Sequence, residues 1–263
     1  MAATPRPFYV PVADEEQVFQ AAYRQGLSIL LKGPTGCGKT RFVEAMAHDL
    51  DRPLVTVSCH DDLTTADLVG RYLLEGGDTR WVDGPLTRAV RDGSICYLDE
   101  VVEARQDTTV VIHPLADHRR QLPIDRLGEV LDAAPGFGLV VSYNPGYQSV
   151  LKDLKDSTRQ RMVAIELDFP PPDVEEKVVS HEAGIDHEVA ARLVQLAQAI
   201  RRVDTVGLRE VASTRVLIAA GRLHGERVPL AAAARAAIAG PLTDDPVVGA
   251  GLRTLIDTYL EDA

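Results

Sequence analysis

Short, nearly uninterrupted apolar runs alternate with helical patterns over the first two thirds of the chain. Five of these runs, four or five residues long and bounded by turn-forming residues, are Ser28–Leu31, Leu54–Val57, Ile95–Leu98, Leu139–Ser142 and Val163–Leu167. Continuous apolar runs are typical of strands in a parallel sheet that is covered on both faces. The helical stretches between them supply the crossover connections that such a sheet requires. We therefore predict an α/β domain with a central parallel sheet.

The last third of the chain follows a different pattern. Three consecutive prolines, Pro170 to Pro172, fix the backbone and remove three N–H donors, so they mark a boundary. Beyond them, apolar residues recur at helical spacing in Glu188–Val203, Ser213–Gly225, Leu230–Ile238 and Val247–Leu260. The pattern predicts two domains, an α/β domain over residues 1–169 and a smaller all-helical domain over residues 173–263.

A glycine-rich turn lies between the first apolar run and the helix that follows it. Its residues fit the pattern Gly-x-x-x-x-Gly-Lys-Thr: Gly33, Pro34, Thr35, Gly36, Cys37, Gly38, Lys39 and Thr40. In a strand–turn–helix context this pattern predicts a phosphate-binding loop, whose backbone N–H groups and helix N-terminus face the phosphates. We expect Lys39 to reach the β- and γ-phosphates, Thr40 to hold Mg²⁺, and the adjoining Arg41 to belong to the nucleotide site.

Polar side chains follow the ends of two further apolar runs. Asp99 and Glu100 come after Ile95–Leu98, and Asn144 follows Leu139–Ser142 closely. At the carboxyl edge of a parallel sheet, Asp99 is expected to support Mg²⁺ through its water shell, and Glu100 to polarise an attacking water. Asn144 is expected to orient that water or to contact the γ-phosphate. The alternatives are an acidic helix N-terminus for the two carboxylates and a plain turn for Asn144.

Three arginines are candidates for a role in transition-state stabilisation. Arg159 and Arg161 precede the last predicted strand, too late in the chain to be obvious ligands of their own nucleotide. Either one can act on a neighbouring subunit's γ-phosphate as an arginine finger, or both can be solvated at a helix end. Arg215 opens a helix of the small domain, where it either touches the phosphates or lies on the surface.

Composition narrows the class of protein. The 263 residues carry a net charge of −11, which argues against a nucleic-acid-coating protein, because neutralising phosphates needs clustered cations. No apolar run approaches the ~18 residues that span a bilayer, so no membrane insertion is expected. The three cysteines form no Cys-x-x-Cys pair, which favours a reduced, cytoplasmic location.

Together these motifs resemble the AAA+ ATPases and, more narrowly, the CbbQ/NirQ/NorQ group of the MoxR branch. The segments that carry the resemblance, which extends from about Tyr9 onward, are Lys32–Phe42, Cys59–Leu63, Asp83–Arg88, Tyr97–Arg105 and Ser142–Tyr147. The resemblance implies ATP and Mg²⁺ as cofactors, with Asn144 as sensor 1 and Arg215 as sensor 2. It favours Arg161 over Arg159 as the finger, because Gln160-Arg161-Met162 stands where the family has Asp-Arg-Phe.

The resemblance also implies an assembly and partners. A homo-hexameric ring would work with a von Willebrand factor A domain partner of the CbbO or NorD type. The client would be Rubisco, favoured here and consistent with a carboxysome-associated location, or nitric oxide reductase. A hairpin inserted at about residues 71–83 would face the central pore, and a second is expected over Arg119–Glu129. Trp81, on the first hairpin, is either a partner contact or a local staple.

Two readings from other classes remain open at this point. One is a monomeric P-loop kinase that transfers phosphate to a small molecule. It would need no arginine from a neighbour and no helical domain of this size. The other is a nucleotide-gated binding module with negligible turnover, which would hold Glu100 away from the phosphates.

Overall fold

The structure is a computed structural model that describes residues 5–145, 156–202 and 211–260. Within these, the chain forms two compact units. The first contains residues 5–7, 13–34, 39–145 and 156–167, and the second contains residues 8–12, 35–38, 168–202 and 211–260. The division into contiguous domains at residues 1–169 and 173–263 remains a prediction.

Nine strands and six helices form the first unit. The strands are β1 (Ser28–Lys32), β2 (Leu54–Ser58), β3 (Gly70–Glu75), β4 (Asp78–Asp83), β5 (Ile95–Asp99), β6 (Gln121–Ile124), β7 (Glu129–Asp132), β8 (Gly138–Tyr143) and β9 (Met162–Glu166). The helices are α1 (Glu15–Arg24), α2 (Lys39–Asp49), α3 (Thr65–Val69), α4 (Pro85–Asp92), α5 (Gln106–Val110) and α6 (Asp156–Arg159), with a 3₁₀ turn at Val101–Glu103. These counts refer to the residues described above.

A five-stranded parallel sheet with the order β2-β5-β8-β1-β9 forms the centre of the first unit. The three inner strands are buried almost throughout, whereas β2 and β9 at the edges alternate with exposed positions. This burial explains the continuous apolar runs of the inner strands. The predicted α/β fold with a central parallel sheet is confirmed, and each predicted strand ends within one residue of the observed bounds.

The hairpin formed by β3 and β4 is stapled at its base. Gly76 and Gly77 occupy its turn with φ of +61° and +95°, a conformation that two-residue hairpin turns require. The Trp81 ring packs edge-to-face on Tyr72 at 5.2 Å, and a Cβ at Gly70 would lie 2.5 Å from it. Trp81 therefore fills the role of a local staple.

The second hairpin is displaced along the chain from its predicted position. It pairs β6 with β7 and ends at Asp132, three residues beyond the predicted end at Glu129. Gly128, at φ +65°, lies in the turn, so Glu129 begins the returning strand instead of ending it.

The second unit is helical. Its helices are α7 (Pro172–Ala183), α8 (His187–Arg202), α9 (Thr214–Gly225), α10 (Leu230–Ala234), α11 (Gly240–Leu242) and α12 (Pro246–Leu260), with a π-helical turn at Arg235–Ala239. Pro172 occupies the first turn of α7, where a missing N–H costs no helical hydrogen bond, so the proline triplet also begins a helix. No helix among the described residues is both long enough and apolar enough to cross a bilayer.

A buried ion pair joins three helical segments of this unit. The Glu175 carboxylate on α7 is fully buried and accepts two hydrogen bonds, of 2.7 and 2.8 Å, from the Arg201 guanidinium on α8. Thr214 at the start of α9 donates its hydroxyl to the same carboxylate at 2.6 Å. Arg201 also donates to the Ala212 carbonyl and lies 4.1 Å from the centre of the Phe169 ring. The pair therefore fixes the start of α9, one residue before Arg215.

Candidate active site

The glycine-rich turn connects β1 to α2, which begins at Lys39. Gly36 and Gly38 have φ of +75° and +103°, in the left-handed region that favours glycine. The Lys39 side chain is 7% exposed, and its ammonium donates to the carbonyl oxygens of Gly33 at 2.8 Å and Pro34 at 3.0 Å. The Lys39 side chain thus folds back onto its own loop, and its contact with the β- and γ-phosphates stays a prediction.

Gly36 also makes a close approach within the second unit, to which residues 35–38 belong. A Cβ at Gly36 would lie 2.6 Å from the Ser213 side chain and 3.5 Å from the Arg215 Cβ. Ser213 is the N-cap of α9, so the exposed Arg215 stands in the first turn of that helix, close to the loop backbone. Only glycine fits at this position, for both its φ and its space.

Asp99, at the end of β5, has its two carboxylate oxygens in different surroundings. Oδ1 accepts a hydrogen bond from the Tyr97 hydroxyl at 2.6 Å and another from the Ser142 hydroxyl at 2.6 Å. Oδ2 lies 3.4 Å from the Thr40 hydroxyl in the first turn of α2. Burial raises the pKa of the Tyr97 phenol far above its usual range, so that hydroxyl keeps its proton and remains a donor. A hydroxyl and a carboxylate oxygen therefore face each other beside the loop.

Glu100 leaves the sheet edge through an unusual backbone conformation. Its φ of 55° and ψ of 48° lie in the left-handed region, which is strained for a side chain other than glycine. Its N–H donates to the Ser142 hydroxyl oxygen at 3.1 Å, and its carbonyl accepts from Glu103 at 2.8 Å. The Glu100 side chain is exposed. The two adjacent carboxylates are thus separated in direction, one turned to Thr40 and one to solvent.

The field at this edge of the sheet is negative. The pKa of the Cys59 thiol is raised to about 12, first by burial and then by the charges of Asp99 and Glu100. Asn144, directly after β8, is buried at the same carboxyl edge, two residues beyond Ser142. Hard oxygen donors and concentrated negative charge are the surroundings that Mg²⁺ prefers, so Thr40 and Asp99 fit the predicted metal role.

The two arginines before β9 have different surroundings. Arg159 is half-buried in α6, with its guanidinium 5.6 Å from the centre of the Tyr143 ring. Arg161 is exposed just after α6, where it donates to the Ser157 carbonyl and lies 4.0 Å from an oxygen of Asp117. Arg159 is therefore packed within its own chain, and Arg161 is the more accessible of the two.

Two further residues of the predicted site lie in the loop and in the helix that follows it. Arg41 is exposed on α2 and pairs with Glu44 at 3.1 Å, and Cys37 is buried within the loop. Sequence reasoning did not single out Tyr97 or Ser142 as site residues. The signal for Tyr97 was its position two residues before Asp99, which puts both on one face of a strand, and for Ser142 its hydroxyl in an otherwise apolar run.

Two solved structures share the fold of this chain over most of its length. A RuvB variant of Thermotoga maritima superposes with a TM-score of 0.57 at 15% identity, covering 95% of this chain and 73% of that chain. A putative ATPase from Cytophaga hutchinsonii gives a TM-score of 0.53 at 17% identity, covering 97% and 91%. At these identities the likeness shows the fold alone.

Sequence relatives are much closer. Protein NorQ of Paracoccus denitrificans is 60% identical over 253 residues, covering 96% of this chain and 94% of the relative. The denitrification regulatory protein NirQ of Stutzerimonas stutzeri is 58% identical over 256 residues, covering 97% and 93%. Protein CbbQ of Hydrogenophilus thermoluteolus is 55% identical over 252 residues, covering 96% and 94%.

Two family models account for most of the chain. The model of an AAA domain (dynein-related subfamily) matches residues 28–162, which contain the phosphate loop, Asp99, Glu100 and Asn144. The CbbQ/NirQ/NorQ C-terminal model matches residues 175–259, within the helical part. With the relatives above, these matches confirm the resemblance drawn from the motifs, and the chain belongs to the CbbQ/NirQ/NorQ family of AAA-domain ATPases, nucleotide-binding enzymes that hydrolyse ATP.

Proposed function

We propose that this ATPase works as a ring-shaped motor that remodels a client enzyme. The observation that carries the proposal is the separation of two carboxylates at the end of β5. Asp99 turns one oxygen toward Thr40 at 3.4 Å, whereas Glu100 is exposed one residue further on. A protein that only binds nucleotide needs the first carboxylate, and a hydrolase also needs the second.

Each group has a distinct task in the proposed reaction. Thr40 and Asp99 would hold Mg²⁺, which would supply positive charge against the phosphates. Lys39 places its ammonium against the β- and γ-phosphates, and the loop N–H groups bind phosphate oxygens. Glu100 accepts a proton from the attacking water, which Asn144 orients. Arg215, beside the loop at Gly36, supports the γ-phosphate as sensor 2.

Glutamate-to-glutamine substitution tests the hydrolytic role. Glu100→Gln should bind ATP with nearly unchanged affinity while kcat falls by about 10²- to 10⁴-fold, because a general base is lost and the phosphate loop is intact. Glu103→Gln, in the same turn, is the matched control and should stay within twofold of wild type. Turnover of Glu100→Gln within threefold of wild type would remove Glu100 from the mechanism.

The exposed position of Arg161 supports the proposed ring. We propose that Arg161 of one subunit completes the site of its neighbour in a homo-hexamer. Mixing Arg161→Ala subunits with Lys39→Ala subunits should restore part of the activity that each lacks alone, since some interfaces then combine two intact halves. Arg159→Ala is the comparison variant, expected to disturb packing on Tyr143 first. A species that light scattering shows to be monomeric, and that has full ATPase activity, would overturn the ring.

The client is proposed from the relatives' names. NorQ and NirQ, at 60% and 58% identity, stand above CbbQ at 55%, which favours nitric oxide reductase over Rubisco as the client. In either case a von Willebrand factor A partner would connect ring and client. The decisive assay measures recovery of each client's activity with ATP and that partner. Recovery of Rubisco activity without recovery of nitric oxide reductase activity would make Rubisco the favoured client.

A further inference from the structure

Two buried hydroxyl groups lie directly behind the proposed catalytic carboxylates. Tyr97 on β5 and Ser142 on the neighbouring β8 are both fully buried. The strands pair in parallel with Tyr97 opposite Val140, so Ser142 is level with Asp99. The Tyr97 and Ser142 oxygens are 3.0 Å apart, and each lies 2.6 Å from Asp99 Oδ1.

We propose that Tyr97 and Ser142 are positioning residues that fix the direction of both site carboxylates. Of the two carboxylate residues, Tyr97 contacts only Asp99, whereas Ser142 contacts Asp99 and the backbone N–H of Glu100. The inference rests on the proposed roles of Asp99 in metal support and of Glu100 in activating water.

Hydrogen-bond accounting supports the role toward Asp99. Each hydroxyl has one proton, and Asp99 Oδ1 lies within 2.6 Å of both oxygens. With Oδ1 holding both donors, Oδ2 is the oxygen left to face Thr40. Turning the carboxylate away would leave the Ser142 hydroxyl without this acceptor and leave Tyr97 the longer 3.0 Å contact to Ser142, and unsatisfied buried polar groups are costly. The orientation needed for the metal's water shell is therefore set before metal binds.

Ser142 has a second task because its oxygen also accepts. The Glu100 N–H donates to it at 3.1 Å, and this N–H belongs to the residue with φ of 55°. The hydrogen bond offsets part of the cost of the left-handed backbone that turns the Glu100 side chain away from the sheet. Ser142 is also two residues before Asn144. The end of β8 therefore contacts the Glu100 backbone through Ser142 and carries Asn144, the two residues proposed to hold the attacking water.

Substitutions that remove one oxygen atom each test the proposal. Tyr97→Phe keeps the ring and should raise by about 5- to 20-fold the Mg²⁺ concentration at which binding of a non-hydrolysable ATP analogue, followed by calorimetry, is half-maximal, with the same shift in ATPase activity; this is the effect of losing one hydrogen bond to a charged group. Its KM for ATP at saturating Mg²⁺ should stay within twofold. Ser142→Ala should show the same Mg²⁺ shift and lower kcat by at least about 10-fold, because Glu100 is released as well.

Matched controls separate positioning from general loss of a buried hydrogen bond. Tyr23→Phe removes a hydroxyl that donates to the Gly136 carbonyl at 2.7 Å, in the same unit and without a contact to Asp99. Ser28→Ala removes a buried hydroxyl on β1. Both should leave Mg²⁺ dependence and kcat unchanged. In a Glu100→Gln background, Ser142→Ala should lower kcat little further, because Ser142 affects kcat through the Glu100 carboxylate, which is already absent.

The outcomes distinguish this inference from the proposed function beneath it. Asp99→Asn or Glu100→Gln with nearly full activity would overturn the site assignment itself. If both of those variants are inactive while Tyr97→Phe and Ser142→Ala match their controls, the positioning role is wrong. If Ser142→Ala fails to fold, the Mg²⁺ dependence of Tyr97→Phe decides alone.

Discussion

Breaking the buried ion pair of the helical unit should cost more stability than any single surface change. In Arg201→Met the methionine keeps most of the side-chain length but removes the charge that faces Glu175. The Glu175 side chain is 0% exposed and the Arg201 side chain 12%, so water cannot take over the lost contact. Removing one partner of such a pair costs about 3–5 kcal/mol, because the other charge stays buried without compensation.

Secondary contacts place the expected value near the middle of that range. Arg201→Met also loses the hydrogen bond to the Ala212 carbonyl, whereas the Thr214 hydroxyl continues to donate to Glu175. We expect a loss of about 4 kcal/mol in the free energy of unfolding. With a urea m-value of about 3 kcal/mol/M, the midpoint of the helical unit should fall by about 1.3 M.

Two probes separate the units during unfolding. Trp81 is the single tryptophan of the chain and lies in the first unit, so its fluorescence follows that unit, whereas far-UV circular dichroism is weighted toward helix. The dichroism midpoint should therefore move further than the fluorescence midpoint. The double variant Glu175→Gln with Arg201→Met should regain about half of the lost stability, because no buried charge remains unpaired.

The exposed neighbour Arg202 provides the control, since Arg202→Met changes the same residue type on the same helix and should cost less than about 0.5 kcal/mol. The reasoning fails if Arg201→Met costs less than 1 kcal/mol, or if the double variant is no more stable than the single one.

Three further outcomes are expected. Leu74 is 77% exposed beside the hairpin turn, so we expect it to act on the client and not in ATP hydrolysis. Leu74→Ser should keep the ATPase rate within twofold while recovery of client activity falls. An equal loss of both activities would show a structural role. Trp81→Ala should lower the melting temperature by several degrees in a thermal scan, because its ring packs on Tyr72. Burial raises the pKa of the Cys59 and Cys96 thiols to about 12, so at pH 8 only about one in ten thousand is thiolate, and both should stay unmodified by a thiol reagent until the protein unfolds.

Much of the first unit could be predicted because its inner strands are buried on both faces. That burial leaves apolar runs in the sequence, and the residues that follow them must lie at one edge of the sheet. Asp99 and Glu100 were therefore placed correctly relative to β5 without any structure. The phosphate loop could also be located from the sequence, because its pattern requires glycines at positions of positive φ and a lysine at the start of a helix.

The contacts that were missed depend on pairings that no local pattern reveals. The Ser142 hydroxyl meets Asp99 only because β8 lies beside β5, 43 positions away in sequence. Glu175 and Arg201 are 26 positions apart, and each alone looks like an ordinary solvated charge on a helix. The end of the second hairpin was misplaced because a glycine in a polar stretch marks a turn without fixing its register.

Because Glu100 has a left-handed backbone, stability and the proposed turnover favour different residues at this position. A side chain there costs about 1 kcal/mol that glycine would avoid, and asparagine would avoid part of it. A library of variants screened only for heat resistance should therefore enrich glycine and asparagine at position 100, and the role proposed for Glu100 predicts that the enriched proteins hydrolyse ATP far more slowly. Glutamate should be retained at position 100 only when the library is also screened for ATP consumption. The residue found at this position therefore indicates which property has been selected.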